Sequence, residues 1–384
     1  MTNIDRARAK AIEVLRSCAH QPRGFHASGL KGGYEALWAR DSMICSLGAS
    51  LVGEEFKEAM KNSLETLARH QTKLGLIPTC IGDYNEERQS YITFNAIDAP
   101  QWYIIGHYVY TEAYADTRLI KKYRRSILKA LSWLKHQDPN NDNLIVQQPC
   151  TDWMDAFPHK YGRVMHTQAL QFALLKIMGE NKLANSIKDI VNSETQKYLA
   201  LYDEERGYYL PWVWKDHGGD REQEEWFDSA ANLFAILTGL ATPAIAKKIL
   251  AFIDKEKINR PYQCKNIWPP IEPGSPAWKP YFNRCDARTP FHYINGGIWL
   301  WIGGLYVAAL VKAQQFKKAS RELKILAEGC LQEVRLNDEL YGFCEWLDGK
   351  TGEPKSNPNQ AWNAGMYLYA YECVRRKKVI YFEK

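Results

Sequence analysis

Two stretches of this 384-residue chain set carboxylates beside tryptophan and beside a turn-forming glycine or proline. One is PCTDWMDAFPHKYGRVMHTQAL, from Pro149; the other is CEWLDGKTGEPKSNPNQAWNAG, from Cys344. Hydrolysis of a glycosidic bond uses such material: a protonated carboxyl donates to the leaving oxygen while an ionised one activates water. Unequal burial or neighbouring charge separates the two pKa values. Asp155 and Glu345, each in an aromatic setting, are the candidate pair. Asp152 or Asp155 could instead cap the following helix, and Asp348-Gly349 reads first as a tight reversal.

Other polar groups stand at comparable places. Trp38-Ala39-Arg40-Asp41 enters an apolar helical stretch. There Asp41 is either a first-turn carboxylate favoured by the helix dipole or, with Arg40, a grip for sugar hydroxyls. Asn95 and Asp98 precede a later helix in the same way, and Asp228 precedes another. His292-Tyr293 leads into NGGIWLWIGG (295–304), which lacks the Lys-Ser/Thr of a phosphate loop and follows no strand. Its glycines read as points of close backbone approach. Of thirteen tryptophans, only Trp133 lies deep in a surface-type helix; the rest, Trp153, Trp299 and Trp346 among them, fall in or near long links. Gathered at one end, they would wall a bowl with flat apolar rings that fit the C–H faces of sugars.

The elements that must gather them are helical. Apolar residues recur at helical spacing over 3–18, 40–52, 54–72, 98–115, 117–137, 164–179, 180–201, 226–239, 242–254, 294–313, 316–332 and 358–375, and strand-type alternation is scarce. Short links follow the even-numbered segments. Long ones follow the odd-numbered: 19–39, 73–97, 138–163, 202–225, 255–293 and 333–357. A short link makes a helical hairpin, so six hairpins closed in a ring put every long link on one face. The even-numbered helices are the more apolar all round and form the inner ring. The expectation is an all-α chain, a single (α/α)6-barrel domain over 1–384.

Composition narrows the partners. The net charge of +6 comes from scattered lysines and the run Arg375–Lys378, with no basic stripe among exposed aromatics, so nucleic acid is not expected. The amphipathic start MTNIDRARAKAIEVL has no apolar core of a signal peptide, and no apolar run reaches membrane-span length. Nine scattered cysteines without a CxxC pair suit a reducing, cytoplasmic setting. The nine histidines form no HxH or HxxxH set, so neither metal nor cofactor is expected.

Together, WARDS (38–42), FNAIDAPQWY (94–103), TDWMDA (151–156), YINGGIWLWIGG (293–304) and EWLDGKTG…QAWNAG (345–365) resemble the catalytic (α/α)6 domain of amylo-α-1,6-glucosidase (glycogen-debranching) enzymes. They also resemble the neutral/alkaline invertases of glycoside hydrolase family 100. Both families are inverting hydrolases, and the resemblance, over about 34–370, implies Asp155 as general acid and Glu345 as general base. Gly162 and Gln168 stand at the expected offsets. The sugar-binding candidates it implies are Trp38, Arg40, Asp41, Asp98, Trp153, His292, Tyr293, Trp299, Trp346 and Gln360. Ala-Phe-Pro-His after Asp155 is closer to the debranching type, whereas Asp-Gly-Lys-Thr-Gly after Trp346-Leu347 is closer to the invertases. The chain has no room for polymer-binding domains, which favours a small saccharide substrate. An α-glucoside comes first and sucrose second. A histidine-based epimerase through His159 and His292, or a non-catalytic sugar binder, stands as the alternative. Linkage and oligomeric state are left open by these residues.

Overall fold

A computed structural model of the protein describes residues 1–82, 90–193 and 200–383. Its helices are α1 (Asn3–Cys18), α2 (Ala39–Ala49), α3 (Lys57–Arg69), α4 (Asp98–Tyr114), α5 (Arg118–Lys122), α6 (Arg124–Lys135) and α7 (Met165–Met178). After these come α8 (Asn181–Asn192), α9 (Ser229–Thr238), α10 (Pro243–Lys255), α11 (Leu300–Lys312), α12 (Phe316–Cys330) and α13 (Ala361–Arg376). Six of them form a circuit: α2 packs on α4, α4 on α7, α7 on α9, α9 on α11, α11 on α13, and α13 back on α2. Every residue of α2 and α9 is buried, as an all-round apolar sequence requires. Around the circuit, α3 packs on α2 and α4, α6 on α4, α8 on α7, and α12 on α11 and α13. In α3 the buried residues Ala59, Met60, Ser63, Leu64 and Leu67 form one stripe, and the charged residues face out.

Local chemistry sets the joints. α7 and α9 end on Gly179 and Gly239, at φ 83° and 80°, a left-handed cap that glycine adopts without strain and that turns the chain into α8 and α10. α10 starts with Thr242 capping the Ile245 N–H at 3.3 Å and with Pro243 in its first turn. The α2–α13 contact is backbone-close, because a Cβ on Gly48 would lie 1.8 Å from the Gly365 carbonyl oxygen.

The links depart from the all-helical expectation. They carry short antiparallel strands: Ala36–Trp38 pairs with Cys80–Gly82, which pairs with Ile92–Thr93. Phe227–Asp228 pairs with Ile267–Trp268, so α9 begins at Ser229 rather than 226. The expected helix over 294–313 begins only at Leu300. Gly296 has φ 86°, and the buried Asn295 side chain is tied to Ile271 and Ala287, which holds this stretch as a turn. Likewise α13 starts at Ala361, after Asn359 at φ 55°. The segment 117–137 is broken at Tyr123 into α5 and α6, and 54–72 opens with a 3₁₀ turn at Glu54–Phe56. Residues 83–89 of the link 73–97, and 194–199 of the helix expected over 180–201, lie outside the described residues.

Candidate active site

A cavity of about 240 Å³ opens among five of the six long links. The link before α2 brings Tyr34 and Trp38, with Arg40 and Asp41 from the first turn of the helix; the next brings Thr79, Thr93 and Asn95. Trp153 and Asp155 come from 138–163, and Tyr293 and Trp299 precede α11. Glu345 and Gln360 precede α13, whose Trp362 joins them. None of its lining residues comes from 202–225. The three-stranded sheet makes this possible: pairing Trp38 with Cys80 and Cys80 with Thr93 brings two separate links to one wall. On the opposite side, Gln168 of α7 pins its own link, accepting from the Ile145 N–H at 3.1 Å and donating to the Ile145 carbonyl at 2.7 Å.

Indoles form the floor. Trp153 stands edge-on to Trp299 and Trp301, with centroids at 5.4 and 5.0 Å, and Trp301 stacks on Trp362 at 5.4 Å. Such geometry suits the ring quadrupoles. Trp102, by contrast, is a core residue of α4 packed on Phe234.

Charge converges on buried Arg40. Its Nε is 3.5 Å from Asp41 Oδ2, Nη1 is 3.9 Å from Asp98 Oδ2, and Nη2 is 4.0 Å from Asp155 Oδ2. Its guanidinium also lies 5.8 Å from the ring centres of both Trp38 and Trp362. Burial raises Asp41 to about 6, against the pull of Arg40 and with a push from Asp155. Burial likewise raises Asp98 to about 7, with Arg40 opposing and Asp152, Asp155 and Asp41 adding. Asp41 Oδ2 and both Asp98 oxygens are buried without a hydrogen-bond partner. The N-cap position of α2 is Trp38, which makes no side-chain cap, and Asp41 lies in the first turn.

Glu345 is 5% exposed and fixed by neutral donors. Ser356 donates to its Oε2 in a short hydrogen bond, and Tyr34 donates to the same oxygen at 3.3 Å. Burial raises this carboxyl to about 7; the two hydroxyls pull it down, and Asp41 and Asp155 push it further up.

Three of the sugar-binding candidates, Asp98, Trp346 and His292, stand outside the cavity lining. Asp98 is fully buried behind Arg40. Trp346 is buried, its ring 5.4 Å from that of His292. His292 Nε2 pairs with Asp348 at 3.0 Å, and Asp348 accepts from the Lys350 and Thr351 N–H groups, which makes it the expected tight reversal. Asp228 caps α9 through the Ala231 N–H, and its other oxygen is 3.6 Å from Lys160. Trp38, Arg40, Asp41, Trp153, Asp155, Tyr293, Trp299, Glu345 and Gln360 all line the cavity. Sequence reasoning missed Tyr34, Ser356 and Lys160. Tyr34 follows Gly32-Gly33, the only cue it had; Ser356 and Lys160 offered none.

Over residues 24–369 the chain matches the amylo-alpha-1,6-glucosidase family. It is similar to Neutral/alkaline invertase 1, mitochondrial, of Oryza sativa subsp. japonica, with 29% identity over 147 residues. That match spans 37% of this chain and 22% of the relative's length. Among solved structures, the fold is shared with a glycoside hydrolase family 63 mannosylglycerate hydrolase from Thermus thermophilus in complex with glucose. The TM-score is 0.68 at 18% identity, covering 94% of this chain and 99% of that one. A glycosidase variant in complex with glucose aligns at a TM-score of 0.66 and 14% identity, over 97% of both chains. The mostly helical fold is therefore that of helical glycosidases. No helix among the described residues is long and apolar enough to cross a membrane. The chain belongs to the amylo-α-1,6-glucosidase family.

Proposed function

We propose that this family member hydrolyses an α-glucosidic bond of a small saccharide with inversion, Asp155 acting as general acid and Glu345 as general base. The observation that carries the reading is the pair of carboxyls lining one indole-floored cavity. In this reading the two tiers of helices form an (α/α)6 barrel, and 1–384 is one catalytic domain. Glu345 suits a base: Ser356 and Tyr34 hold Oε2, leaving Oε1 to take a proton from water. A carboxyl near pH 7 is well matched to proton transfer at neutral pH. Asp155, partly exposed at the opening, is the donor to the leaving oxygen. Arg40 and Asp41 hold hydroxyls of the glucosyl unit, and Trp38 and Trp153 cover its apolar faces. A volume of about 240 Å³ is below the range of roughly 300–1,000 Å³ usual for drug-sized ligands, which favours a single sugar unit in the cavity.

One observation favours a second reading, with the two roles exchanged. Glu345 is the carboxyl that burial drives toward protonation, while Asp155 faces the Arg40 cation. The rice invertase match supports sucrose as the alternative substrate. His159 bonds to Tyr281 and His292 to Asp348, and neither lines the cavity, which favours hydrolysis over the epimerase alternative. The test is a panel of α-linked glucose disaccharides and sucrose, followed by proton NMR. Release of glucose first as the β-anomer is expected. First-formed α-glucose would overturn inversion, and binding without release would leave a sugar-binding protein.

A further inference from the structure

Three ions of this fold are completely buried together outside the cavity lining. Lys160 Nζ lies 2.9 Å from Asp152 Oδ2 and 3.6 Å from Asp228 Oδ2, and all three side chains have zero exposure. Such a group is a poor source of stability, because removing charges from water costs most of what their attraction returns. Apolar side chains of similar volume are often as stable or more so. Its placement, however, is specific. Asp152 and Lys160 close the ends of segment 152–160, and Asp155 and Trp153 lie inside it. Asp152 further accepts from the Met154 N–H at 2.9 Å and from Gln147 Nε2 at 3.2 Å. Asp228 belongs to a different element: it is the cap of α9, fixed by the Ala231 N–H at 3.0 Å. One ammonium thus ties both ends of the segment to each other and to the start of a buried helix.

We propose that Lys160 is a positioning residue, an ionic staple that holds the segment bearing Asp155 at the height where its carboxyl meets the leaving-group oxygen. The proposal rests on Asp155 being the proton donor. Arg40, Asp41 and Glu345 come from other links, and Trp153, though inside the segment, is held independently by ring contacts with Trp299, Trp301 and Trp362, so the staple governs proton donation far more than sugar binding or water activation. Asp152 then acts through Lys160 and stays out of the reaction, consistent with its absence from the cavity wall.

The test is Lys160→Met, assayed with the preferred disaccharide and with α-glucosyl fluoride, whose leaving group needs little protonation. The expected result is a loss of about 10- to 100-fold in kcat on the disaccharide, a share of the roughly 10²–10⁴ that general acids contribute. KM and turnover of the fluoride should stay within about threefold. Equal losses on both substrates, or a change confined to KM, would overturn the staple. Should Lys160→Met fail to fold, Asp152→Asn keeps the shape and the acceptor for the Met154 N–H while removing the charge opposite Lys160. The same split between substrates is expected of it, and an equal loss on both counts against the staple in the same way. Asp155→Asn, run in parallel, separates the two assignments. If it too fails to spare the fluoride, the role of Asp155 is what falls; if it spares the fluoride and the Lys160 or Asp152 variant does not, only the staple falls.

Discussion

On one wall of the cavity, Glu345 is buried and held by two hydroxyls that carry no charge. On the other, Asp155 is about a third exposed and faces a guanidinium that it shares with Asp41 and Asp98. The first environment is local. Its carboxyl owes its state to burial, trimmed by two donors, so a single substitution can retune it. The second is collective. Arg40 answers to several carboxylates at once, so its one cation is shared among Asp41, Asp98 and Asp155. The two carboxyls therefore sit in different environments, one shaped by desolvation and the other beside a shared cation, and in the proposed reading that difference is what would separate their roles.

The strongest way to break that comparison is to neutralise each carboxyl in turn. Glu345→Gln is expected to lose about 10²–10⁴ in kcat on a disaccharide and on α-glucosyl fluoride alike, because water activation is needed for both. Asp155→Asn should lose a similar factor on the disaccharide but less than about tenfold on the fluoride. Steady-state kinetics on the two variants checks both outcomes. A fluoride spared by Glu345→Gln and not by Asp155→Asn would exchange the roles.

The legibility of these walls in the sequence follows the same division. Helical periodicity marked the six buried helices, since an all-round apolar helix such as Ser229–Thr238 has nowhere to go but inward. The alternation of short and long links then pointed at one cavity. Less legible was anything set by long-range pairing. The strands at Ala36–Trp38 and Cys80–Gly82 are too short to show alternation, and the turn at 294–299 was hidden inside an apolar run. Within the site, motif residues such as Asp155 and Arg40 were readable because their neighbours are unusual. Ser356 meets Glu345 only after the link folds back, across eleven residues, and Lys160 looked like any surface lysine until burial placed it between two aspartates.

A smaller effect sharpens the collective side. Asp41→Ala removes one of the carboxylates shared by Arg40 and, in the proposed reading, a partner for sugar hydroxyls. The expected loss in kcat/KM is about 2–4 kcal/mol, since the partner group is left desolvated. Stability should not fall with it. Burial raises Asp41 to about 6, above its usual range, so at pH 7 its ionised form works against folding, and α2 takes no cap from it. Kinetics and thermal melting of one purified variant read both quantities. A lowered melting point with unchanged kcat/KM would return Asp41 to a structural role.

The smallest effect probes the local side, where one hydroxyl tunes one carboxyl. Tyr34 donates to Glu345 Oε2 at 3.3 Å, a long hydrogen bond that favours the ionised form. Tyr34→Phe keeps the ring and deletes the donor. Glu345, already raised to about 7 by burial, must then rise further. If Glu345 is the base, activity requires its ionised form, so kcat/KM climbs with pH through the neighbourhood of 7. The variant should shift that limb to higher pH. At a pH below the limb it should lose activity by up to about tenfold, as expected for a net hydrogen bond of about 0.5–1.5 kcal/mol, and well above the limb it should approach the parent rate. With the roles exchanged, the neutral region would instead carry the falling limb, and the variant would gain activity on its alkaline side. A full pH profile of kcat/KM for parent and variant separates the two by sign. A limb that does not move would mean that the hydroxyl leaves the state of Glu345 to Ser356 and burial alone.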